Sequence, residues 1–200
     1  MATGWVERRA VLNRASRWIT KALDQIRMEI PIPILELHPD NGSEFINMSL
    51  VNYSKKTGID LTRSRPGKKN DNCYVEQKNF DTVRKLVGYA RYTTPQALEV
   101  LNQLYHIQGL LQNYIYPTQK LIEKTRKGSR YIKKYDKPKT PAMRILEHPE
   151  VEPEVKENIR NTLDLINPVD IALKVKRLQK KLFDMADKNI LLPYPQKEGA

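Results

Sequence analysis

The chain has 200 residues, 40% of them hydrophobic and 29% charged, a balance that builds a folded core and excludes a disordered or collagenous polypeptide. Its 35 Lys+Arg against 23 Asp+Glu give a formal charge of +12, which favours a polyanionic partner, nucleic acid before an anionic membrane. One cysteine and three scattered histidines exclude a disulfide framework and a Cys-based zinc site, and no apolar run approaches the roughly 18 residues of a membrane span or forms a signal core in "MATGWVERRA", which points to the cytoplasm.

In chain order, "TGWVERRAVL" alternates and is rich in bulky residues, so it predicts a strand; "NRASRWITKALDQIRMEI" then sets Ala15, Trp18, Ile19, Ala22, Leu23 and Ile26 at helical spacing. "PILEL" predicts a second strand, ended by His38 and Pro39. "SEFINMSLVNYSKKTG" predicts a helix capped by Ser43 and stopped at Gly58, and "IDLTR" a third short strand. The βαβαβ order implies an α/β layer architecture. After the basic loop "SRPGKKND" come two helices, "NCYVEQKNFDTVRKLVGY" and, capped by Thr94 with Pro95 at its first position, "PQALEVLNQLYHIQGLLQNYI".

The expected organisation is a core over 1–118, a basic linker over 119–140 and a helical C-terminal extension over 141–190. Lys120 to Lys139 holds nine basic and two acidic residues, a local net of 9 − 2 = +7. In the last helix Ile171, Val175, Leu178, Leu182 and Met185 are spaced as a heptad seam. Packing against the neighbouring tail helix is the expectation, with a dimer seam as the other reading.

The segment "HPDNGSEF" poses the chemical question. Asp-Asn-Gly is a turn signal, yet Asp40 also ends a strand, where side chains reach the open edge of an α/β sheet. Glu76 follows after 35 intervening residues, near the start of a helix that follows the third strand, and the two carboxylates converge if that helix packs back on the sheet. Carboxylate oxygens are the ligands Mg²⁺ accepts, and paired ions clamp the attacking and leaving oxygens of a phosphoryl displacement. Arg63, Arg65, Lys68 and Lys69 form a second basic block without an acid.

"HPDNGSEFIN" and "TRSRPGKKNDNCYVEQKNFDTVRKLVGY", with "TGWVE" and "NYIYPTQKLIEKTRKGSR", resemble the DDE integrase core of retroviral-type integrases and bacterial insertion-sequence transposases, an RNase H-like fold; the likeness covers roughly residues 3–140. The resemblance implies that Asp40 and Glu76 are catalytic metal ligands in a two-Mg²⁺ site and that Asn41 and Gly42 shape the turn. It also implies that Asn72 and Lys78 lie against DNA, and that Arg63, Arg65, Lys68 and Lys69 track the phosphate backbone. Glu44 is expected to complement a helix dipole. The family's first acid stands on a first strand that would precede Met1, so the expectation is an integrase core lacking its first strands and its complete triad. Such a chain is expected to be inactive and weakly stable alone. DNA, and further copies in a transposition complex, are the implied partners, with no membrane or small-molecule substrate, in a nucleoid-associated location. The alternative is a non-catalytic nucleic-acid-binding module.

Overall fold

The computed structural model describes residues 3–13, 15–39, 44–62 and 83–187, with 44–47 described by backbone alone. The elements are α1 (Ser16–Glu29), β1 (Glu36–Leu37), α2 (Glu44–Thr57), β2 (Asp60–Leu61), α3 (Pro95–Leu110), β3 (Leu121–Lys127), β4 (Arg130–Tyr135), α4 (Pro141–Glu147), α5 (Pro153–Leu165) and α6 (Pro168–Asp184). A short helical turn at Lys85–Val87 precedes α3, and a π-helical turn over Leu111–Ile115 extends it. The described residues thus form a mixed α/β fold with two small two-stranded sheets.

β1 and β2 pair in parallel, Glu36 with Asp60 and Leu37 with Leu61, and α2 crosses between them. This is a short version of the expected strand–helix–strand unit. Ser43, expected as the cap of α2, lies outside the described residues. α1 packs on α2 and buries none of its residues fully; Tyr53 in α2 donates to Asp24 in α1 at 2.8 Å.

The strand expected over 3–12 is not one. Its backbone finds side chains instead of a neighbouring strand: Val6 N–H donates to Asn113 Oδ1 and Asn113 Nδ2 donates to Val6 C=O, both at 2.9 Å. Asn102 repeats the arrangement at Ala10, at 2.8 and 3.2 Å. A primary amide carries one acceptor and two donors in the geometry of a peptide group, so each Asn stands in for one rung of a ladder. Bulk and alternation predict a strand here, and no described strand lies beside the segment to complete one.

The core gathers around α3. Leu86, Val87, Ala97, Val100, Leu104, Tyr105 and Leu111 pack with Ile171, Val175 and Leu182 of α6, and Leu178 and Met185 lie against the same cluster. The heptad seam of α6 is therefore covered by α3 and the Lys85–Val87 turn, which corrects the expected packing on a neighbouring tail helix. Gln179 fastens the contact by donating to Leu86 C=O at 2.8 Å. A second cluster joins α4 and α5 through Ala142, Ile145 and Ile159, with Trp5 and Tyr114 stacked edge-to-face at 5.3 Å beside it. Helix starts follow the sequence: Thr94, Thr140 and Asn167 cap α3, α4 and α6, each before a proline in the first turn.

The segment expected as a linker is ordered. β3 and β4 form an antiparallel hairpin, Lys127 opposite Arg130, around Gly128 and Ser129. Gly128 has φ +63° and Ser129 does not have positive φ, the pattern of a type II′ turn, whose twist suits a two-residue hairpin.

Candidate nucleic-acid interface

The parallel pair β1–β2 presents the carboxyl ends of both strands at one edge. There His38 Nδ1 lies 2.8 Å from Thr62 Oγ1, and the Thr62 hydroxyl donates to Glu36 Oε1. A hydroxyl has one proton, and it is engaged by Glu36, so the contact with His38 requires the imidazole to donate from Nδ1. The pairing draws the two strand ends together one or two residues before Asp40 and Arg63. Asp40, Glu76, Arg63, Arg65, Lys68, Lys69, Asn72 and Lys78 themselves lie outside the described residues, as do Asn41 and Gly42, so the expected convergence of the two acids is neither met nor contradicted. Among the described residues no group of three or more His, Cys, Asp or Glu could hold a metal ion.

The basic hairpin is described completely. Every residue of β3 and β4 is exposed, including Ile122, Tyr131, Ile132 and Tyr135. The strands carry Lys124, Arg126, Lys127, Arg130, Lys133 and Lys134 against Glu123 alone. Side chains alternate across a sheet, so the register sorts them: Lys124 faces Lys133 and Arg126 faces Tyr131 on one side, with Glu123–Lys134, Thr125–Ile132 and Lys127–Arg130 on the other. The Lys124 ammonium stands 4.4 Å from the Tyr131 ring centroid, a cation–π contact.

Among the described residues no apolar layer covers this ribbon, and its base holds it instead. Thr118 and Lys139 exchange backbone hydrogen bonds of 2.9 and 3.2 Å, and Asp136 N–H donates to Lys120 C=O. The Asp136 carboxylate accepts from Lys120 N–H and from Arg144 in α4, while Arg144 also donates to Thr118 C=O at 2.8 Å. These hydrogen bonds, Arg144 first and the Lys120 amide second, hold the Asp136 carboxyl below its usual range. Lys139 pairs with Glu147 in the same helix. One short helix thus fixes both strands where they leave the body.

Sequence reasoning located the charge here and missed its display. Gly-Ser between two alternating runs, "LIEKTRK" and "RYIKKY", was the available hairpin signal.

A protein of Sinorhizobium fredii (strain NBRC 101917 / NGR234) named "Uncharacterized protein y4rM" is 42% identical to this chain over 144 residues, 72% of the chain and 41% of that protein. The chain therefore spans less than half the length of the curated relative it matches. No family model and no solved structure matches it. Among the described residues no helix is long and apolar enough to cross a membrane.

Proposed function

We propose that this chain is a DNA-binding part of an RNase H-like integrase or transposase core. The parallel β1–α2–β2 unit is the observation that carries the reading. Its two strand ends, fastened by the His38–Thr62 contact, lead directly into the segment containing Asp40 and into the Arg63–Lys69 block. Such an edge is where α/β folds present acidic ligands to a substrate. Asp40 and Glu76 would hold Mg²⁺, a fit supported by the all-oxygen donor set. The ions would stabilise charge on the attacking and leaving oxygens of a phosphodiester. In the family reaction, water or a 3′-hydroxyl forms a new bond to phosphorus and the original P–O3′ bond breaks. The family uses a third acid, for which this sequence offers no motif, so the expectation for the 200-residue polypeptide is binding without turnover.

Metal and DNA titrations test this. Mn²⁺, followed by water-proton relaxation, is expected to bind the native chain and to bind at least tenfold more weakly to D40N and to E76Q. Duplex DNA is expected to bind all three with salt-sensitive affinity. Mn²⁺ binding that is indifferent to both substitutions defeats the metal-site assignment.

A further inference from the structure

We propose that the β3–β4 hairpin is a second DNA-contacting element, a ribbon that lies in the major groove of duplex DNA with Lys124, Arg126, Tyr131 and Lys133 on the contacting face; this rests on the reading of the chain as DNA-binding. Three features converge. Lys124 and Lys133 are directly opposite one another, as are Lys127 and Arg130, and like charges in that position oppose pairing. A lone two-stranded hairpin is marginal even without such repulsion, and here no residue of either strand is buried to offset it. Its base is nevertheless locked to α4 through Asp136 and Arg144, so the ribbon projects from a fixed root. Phosphates laid along the ribbon would remove the repulsion.

Shape and composition select the partner. The major groove of B-form DNA is about 12 Å wide and admits a two-stranded ribbon, whereas the deep, narrow major groove of an RNA duplex does not. A bilayer surface would need one apolar face, and neither face of the hairpin is apolar: cations stand on both, with Tyr131 on one and Ile132 on the other. The side lacking Glu123 carries three cations and no acid, which makes it the contacting side.

The test measures anisotropy of a labelled mixed-sequence DNA duplex against the full chain over a range of salt. K124Q/R126Q/K133Q is expected to bind at least tenfold more weakly and to lower the slope of log K against log salt by about 3, one per lost phosphate contact. K174Q/K176Q/K180Q removes equal charge from exposed positions of α6 and is expected to change affinity less than threefold. K133E sets opposite charges across the ribbon. It is expected to leave the melting temperature unchanged or raised while weakening DNA binding, which separates folding from contact. The hairpin assignment fails if the first triple variant binds like the native chain, if the α6 variant loses as much, or if RNA duplex or anionic vesicles compete as well as DNA. If the native chain binds duplex and only R63Q/R65Q/K68Q/K69Q loses it, the hairpin fails and the wider reading stands. If the native chain does not bind duplex at all, both fail.

Discussion

Asn113 is 2% exposed and gives both ends of its amide to the backbone of Val6. Truncating it strands a donor and an acceptor in a water-poor setting, where each unmade bond costs about 1–3 kcal/mol. Asn113→Ala is expected to lower stability by about 2–4 kcal/mol in urea titration, and Asn102→Ala, at a half-buried position, by less than half of that. Equal losses would show that the difference in burial between the two positions does not set the cost. Asp136 makes a prediction in pH. Its folded-state value lies below the unfolded one, so the Arg144 contact adds stability that is complete above the unfolded value of about 3.9 and disappears as pH falls through the folded value. Amide resonances of Thr118 to Lys139 are therefore expected to persist to pH below the ordinary carboxylate range, and in Asp136→Asn to be perturbed already at neutral pH. Neither residue announces itself in the sequence. Asn113 sits among helix-forming residues, and Asp136 is one acid among many bases; what makes them structural is a partner 107 positions away in one case and a helix eight residues on in the other.

At the scale of elements, the periodicity of α6 was legible and its partner was not. Spacings of three and four residues define a stripe on a helix, but any apolar surface satisfies a stripe, and α3 supplied one. Leu182 is fully buried at this contact and Leu173, on the same helix, is 48% exposed. Leu182→Ala is expected to cost about 2–5 kcal/mol and Leu173→Ala less than about 0.5 kcal/mol by denaturant midpoint, both independent of protein concentration because the seam is internal. A concentration-dependent midpoint for the native chain would point back to a dimer. The hairpin teaches the converse. Its turn signal was local and complete in Gly128-Ser129, yet charge density suggested a solvated linker; a turn dipeptide between alternating runs outweighed composition because backbone geometry, unlike solubility, is set within four residues.

For the whole molecule, the expected division into a core ending at residue 118 and an appended helical tail meets a core that crosses it. Ile171, Val175 and Leu182 interlock with Val100, Leu104 and Leu111 in one cluster. Removing α6 would expose that face of α3 and delete three buried aliphatic side chains, each worth about 1.5–3 kcal/mol of burial. Their sum is comparable with the whole stability of an ordinary domain, about 5–15 kcal/mol. A chain ending at residue 140 keeps α3 and the hairpin but loses α4 as well, so Asp136 forfeits Arg144 and Trp5 and Tyr114 lose the Ala142, Ile145 and Ile159 cluster. Residues 1–140 alone are expected to melt at a lower temperature than the 200-residue chain and to be cut faster by a low dose of protease near Lys120–Lys139, because the packing of α6 on α3 is gone. A 1–140 product that melts as high and resists protease as well as the 200-residue chain would show instead that the tail is an independent appendage and that the α3–α6 packing contributes little.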